Sequence, residues 1–94
     1  MTLNVRATHN KHLSDSEVAA EYLNEALEDG NPEVILMALR NVAEAQEGGI
    51  AGLAFRSHLG RESMYKMLSA SGNPKLSSFT KLIHGLGLKF KIEA

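Results

Sequence analysis

Val18, Ala19, Tyr22, Leu23, Ala26 and Leu27 recur three and four residues apart, the spacing that lays apolar side chains along one face of an α-helix. Ser14 or Ser16 stands ahead of this run as its N-cap, Asp15 and Glu17 suit the positive end of the helix dipole, and Gly30 stops the pattern. A second helix is predicted directly afterwards. Asn31 is a capping residue, Pro32 sacrifices no needed donor at the first helical position, and Glu33 favours the N-terminal turn. Its apolar stripe is Ile35, Leu36, Leu39, Val42 and Ala43, Arg40 and Glu44 fall four apart on the polar side, and Gly48-Gly49 breaks it. The short connection implies an antiparallel helical pair.

Beyond the glycines the predicted pieces shorten to 50–57, a break at 58–60, 61–68, a loop at 69–74 and a last helix over about 75–86. Five helices place the chain in the all-α class. The tail Leu88-Lys89-Phe90-Lys91-Ile92 alternates apolar and basic residues, which predicts a short C-terminal β-strand with Leu88, Phe90 and Ile92 on its buried face. No second strand exists in the chain, so its backbone groups are expected to pair with the same segment across a dimer, or with another protein. Residues 1–13 show no sustained period and read as an arm. The expected organisation is that arm plus one helical domain over 14–94, with an acidic helical pair at 14–48, a second helical part at 49–87 and the strand at 88–93.

Composition narrows the class. Ninety-four residues at 44% apolar and 22% charged suit one small core, and the absence of cysteine excludes disulfide staples and thiolate metal sites. No apolar run approaches the roughly 20 residues of a membrane span, so no membrane partner and a cytoplasmic address are expected. The formal net charge of -1 hides an asymmetry. Residues 1–48 carry nine carboxylates against three basic side chains, whereas 49–94 carry seven basic side chains against two carboxylates. The acidic half offers Glu21, Glu25, Glu28 and Glu33 to a basic protein, and the basic half suits a polyanion. His9, His12, His58 and His84 share no spacing that would present them together, so no metal or other cofactor is expected. No nucleophile, base and orienting group can be assembled, so neither an enzyme nor a small-molecule substrate is expected.

Residues 49–68 have the spacing of a helix-turn-helix. Ala54 is small where two helices would cross, Leu53, Leu59, Met64 and Leu68 can plug the gap between them, and Gly60 is a tolerated N-cap. Any small bundle needs such plugs, so a plain helical bundle stays open on spacing alone. The second short helix opens with Arg61 and Glu62, followed one turn later by Tyr65 and Lys66, the candidate readers of base edges in a major groove. Tyr65 either donates to a phosphate or packs flat on the bundle. Candidate phosphate contacts are Arg56, Ser63, Asn73, Lys75, Ser77 and Lys81, helped by the free N-H groups opening the last helix.

Over roughly 22–92 the chain resembles the probable addiction-module antidote proteins, small antitoxins with a lambda-repressor-like helix-turn-helix. The resemblance is carried by Tyr22-Leu23-Asn24-Glu25-Ala26-Leu27-Glu28, Asn31-Pro32-Glu33, Ala38-Leu39-Arg40, Leu53-Ala54, Arg61-Glu62-Ser63-Met64-Tyr65-Lys66, Gly72-Asn73-Pro74 and Leu86-Gly87-Leu88. It implies a type II toxin-antitoxin system whose antitoxin neutralises a small basic toxin and, as a homodimer, binds double-stranded operator DNA to repress its own operon. An orphan regulator, or a toxin-binding module without DNA affinity, are the alternatives. Two positions depart from related DNA-binders: Gly49-Ile50 replaces a polar phosphate contact, and His58 stands in the turn where glycine is common.

Overall fold

The computed structural model describes residues 12–69 and 71–94. The arm expected at 1–13 therefore lies outside the described residues except for His12 and Leu13, and Leu13 belongs to the core, fully buried.

Among the described residues five helices follow in order: α1 (Ser16–Asp29), α2 (Pro32–Ala45), α3 (Gly49–Arg56), α4 (Arg61–Met67) and α5 (Leu76–Gly85). The cap of α1 is Asp15 rather than a serine. Its Oδ1 accepts the N-H groups of Glu17 at 2.9 Å and Val18 at 3.3 Å, and a carboxylate there satisfies two orphan donors while also favouring the dipole. Gly30 closes α1 in the left-handed region at φ 79, with its N-H on the Ala26 carbonyl. Asn31 caps α2 through Oδ1 to the Glu33 N-H at 2.9 Å, with Pro32 opening the helix. α2 ends at Ala45, before the glycine pair, because Gln46 is already extended.

α1 packs on α2, α2 on α3, and α3 on both α4 and α5. The core runs continuously through Ala19, Leu23, Leu39, Val42, Leu53 and Leu82. Within it Asn41 Nδ2 donates to Tyr22 Oη at 2.8 Å, so both polar groups are matched although Asn41 is only 2% exposed.

The C-terminal strand is not formed: among the described residues there is no strand, and residues 88–94 are irregular. A strand exists only as one side of a ladder, and the described residues of a single copy supply no other side. The tail folds back by other means. Gly87 turns at φ 80, Leu88 donates its N-H to the Ile83 carbonyl at 3.1 Å and packs half-buried against the core, and the Phe90 ring tilts against Phe79 with centroids 5.4 Å apart. Ile92 stays 95% exposed instead of joining a buried face. Among the described residues, no helix is long and apolar enough to cross a membrane.

Candidate nucleic-acid interface

α3 and α4 are joined by Ser57-His58-Leu59-Gly60. The Leu59 N-H reaches the Ala54 carbonyl at 3.0 Å and the Met64 N-H reaches the Gly60 carbonyl at 2.9 Å, which folds the connection tightly. His58 accepts the left-handed conformation that the turn demands, at φ 58. Ala54 is buried at the crossing, and Leu53, Met64 and Leu68 lock it from within, with Leu59 half-buried beside them. With Met64 inward, helical geometry turns the opposite face of α4 to solvent. Arg61, Glu62, Ser63, Tyr65 and Lys66 are all exposed there, and about half of the Tyr65 surface is open. Among the described residues, no hydrogen bond or ion pair ties down the side chains of Arg61, Glu62 or Lys66.

The next helix starts close by. Gly72 lies so near the end of α4 that a β-carbon would run into the Met67 carbonyl oxygen, and this approach draws the loop before α5 against the end of α4. α5 begins one residue later than expected, with Lys75 extended at its N-cap. Lys75 makes no side-chain cap, and the first bond of the helix runs from the Phe79 N-H to the Lys75 carbonyl at 2.9 Å. The amides of Leu76, Ser77 and Ser78 thus have no acceptor within the helix. Asn73, Lys75, Ser77 and Lys81 are exposed around this end.

Arg56 is employed differently from the phosphate role expected of it. Its Nε donates to the Gly85 carbonyl at 3.1 Å, one terminal nitrogen to the Glu47 carbonyl at 3.1 Å, and the other to Gln46 Oε1 at 2.9 Å. Gln46 Nε2 in turn donates to the Leu86 carbonyl at 3.1 Å. The pair fastens the end of α5 to the α2–α3 junction and to the root of the tail. Gly52 makes room for it, since a β-carbon there would stand 2.6 Å from the Glu47 oxygen and 3.2 Å from the Arg56 guanidinium. A second brace was missed by periodicity: Arg40 on α2 donates to the Leu68 carbonyl, holding the C-terminal end of α4. Spacing put Arg40 on the polar side of α2, and only the length of its side chain lets it reach across.

The arrangement is a short exposed helix with cationic, acidic and aromatic side chains on its outer face, held at its C-terminal end by Arg40. The family model described as probable addiction module antidote protein matches residues 5–94. The chain belongs to this family. An uncharacterised protein of Haemophilus influenzae is 36% identical to this chain over 83 residues, covering 88% of this chain and 84% of the relative. No solved structure matches it. Membership supports an antitoxin role for this chain and implies a toxin as its partner. Among its described residues, no group of three or more His, Cys, Asp or Glu could hold a metal ion. Glu21, Glu25, Glu28 and Glu33, expected to meet a basic partner, are all exposed on α1 and α2.

Proposed function

We propose that the protein is a cytoplasmic antitoxin that neutralises a small basic toxin through α1 and α2 and, as a homodimer, represses its own operon through α3 and α4. The observation that carries the DNA half of this reading is the outward face of α4, where Arg61, Glu62, Tyr65 and Lys66 stand in solvent while Met64 anchors the helix from beneath. This is what a lambda-repressor-like recognition helix requires: a rigid seat and long side chains free to reach base edges. The exposed Asn73, Lys75, Ser77 and Lys81 around the open amides of α5 suit phosphates next to the groove. The acidic rows on α1 and α2 suit a basic toxin, with charge hastening encounter and apolar contacts supplying the lasting grip.

Fluorescence anisotropy with the promoter DNA of its own operon and with random duplex, in graded salt, tests the DNA half. Arg61→Ala is expected to erase most of the preference for operator, a loss of about 1–3 kcal/mol. Lys75→Ala is expected to weaken both duplexes alike and lower the salt slope by about 1. Equal binding of wild type to both duplexes refutes operator recognition. Growth rescue on co-expression with the small basic product of the neighbouring gene tests the toxin half, and continued arrest refutes it.

A further inference from the structure

A groove of about 710 Å³ runs between α1 and the C-terminal tail. Its apolar floor is built by Leu23, Leu27, Ile83, Leu88 and Phe90, and Leu27 and Phe90 remain nearly half exposed, so the described residues do not cover this surface. Ile92 stands just beyond it, 95% exposed, an apolar knob with no socket among the described residues. Residues 89–94 make no backbone hydrogen bond among the described residues, which leaves the tail able to shift as a unit.

The rims of the groove carry opposite signs. Glu17 and Glu28 stand on the α1 side, while Lys89 and Lys91 stand on the tail side, where Lys91 holds only an exposed ion pair with Glu93 at 3.2 Å. Such an exposed pair contributes little and is easily exchanged for another carboxylate. A uniformly basic partner laid along this groove would meet the lysines with like charge. A second copy related by a two-fold axis running along the groove would not, because that rotation sets each acidic rim on the other copy's basic rim.

We infer that the groove between α1 and the tail is a self-docking surface: two copies associate about a two-fold axis, each inserting Ile92 over the other's Leu27 floor, with Lys89 and Lys91 against Glu17 and Glu28 across the interface. The inference rests on the homodimer of the proposed function and names its surface, which assigns Glu28 to the partner copy and leaves Glu21, Glu25 and Glu33 to the toxin. It replaces a β-ladder between tails by side-chain docking of each tail on the partner's first helix. Burial of Leu27, Phe90 and Ile92 supplies the apolar centre, and the crossed charges set orientation.

Sedimentation velocity of the full chain over a wide concentration range, in low and high salt, reads the result. Wild type is expected to pass from monomer to dimer, more weakly in high salt. Ile92→Asp should weaken the dimer about thirty-fold or more, the loss expected on removing a central apolar anchor. Leu27→Asp should do the same, and because Ile92 is almost wholly solvent-exposed, its variant tests the idea even if Leu27→Asp fails to fold. Glu28→Lys should weaken the dimer, and Glu28→Lys combined with Lys91→Glu should restore it. Arg61→Ala should leave sedimentation unchanged, which separates this surface from the DNA reading. A dimer indifferent to all these variants overturns the assigned surface while leaving dimerisation intact. A wild type that stays monomeric overturns self-docking outright, and if Ile92→Asp then abolishes toxin capture, the groove belongs to the toxin.

Discussion

The Ser57 hydroxyl is buried and lacks a hydrogen-bond partner, alone in this among the described side chains. It faces Gly85, where a β-carbon would overlap it and come within 3.0 Å of Leu53 Cδ1. An unmatched buried hydroxyl costs about 1–3 kcal/mol, so Ser57→Ala should hold or raise the unfolding free energy, by up to about 1 kcal/mol. Gly85→Ala should lower it by about 1–3 kcal/mol through overpacking. Ser57→Ala should recover part of that deficit when the two are combined, because the hydroxyl is the nearest obstacle; denaturant unfolding of the four proteins measures the coupling, and strict additivity would show that the two sites do not meet. Arg56 admits an equally direct test. If its guanidinium gripped a phosphate, Arg56→Ala would lower the salt slope of DNA binding by about 1. If it is a clamp, the same substitution should instead reduce stability by about 1.5–3 kcal/mol and leave the slope as it was, which is the outcome expected from its bonds to Gly85, Glu47 and Gln46.

At the scale of elements, the turn between α3 and α4 carries strain that a substitution can release. His58 sits at φ 58, a region costing a non-glycine residue about 1–2 kcal/mol. Glycine gives back some of this gain through its freer unfolded chain, so His58→Gly should stabilise by about 0.5–1 kcal/mol. His58→Val should destabilise, because a branched β-carbon resists that conformation. Thermal melts should move a few degrees in opposite directions, and a shift of the same sign in both would deny the strain. The five helices were legible in the sequence because their signals are local: an apolar period, Asn31-Pro32 at one start, Gly30 at one end, Gly60 before α4. Boundaries moved by a residue or so where a competing cap prevailed, as Asp15 did over the serines. The outward face of α4 was legible too, since Met64 had to point inward to plug the crossing. What depends on reach across the fold was not. Arg40 and Arg56 looked like surface cations, Leu13 belonged to no periodic run, and the tail's alternation resembled a strand, whereas its docking by Leu88 and by the Phe90–Phe79 contact depends on groups brought together only by the fold.

Across the whole molecule, the acidic and basic halves of the chain correspond to different elements: α1 and α2 hold Glu21, Glu25, Glu28 and Glu33, while the residues facing out from α4 and from the start of α5 are mostly cationic or polar. Gln46 and Arg56 join these territories mechanically by pinning the carbonyls of Gly85 and Leu86, immediately before the tail, to the junction where α2 hands over to α3. A chain without disulfides, resting on one small core, is sensitive to each such fastening, and about 1 kcal/mol shifts the melting midpoint of a domain this size by roughly 4–8 °C. The placement of the two tyrosines has an optical consequence. With no tryptophan to dominate emission, fluorescence comes from Tyr22, 5% exposed beneath its bond to Asn41, and from Tyr65, half in water on the outer face of α4. A soluble quencher will extinguish the second and spare the first, so unlabelled protein carries one built-in reporter of melting and another of whatever settles on the outer face of α4.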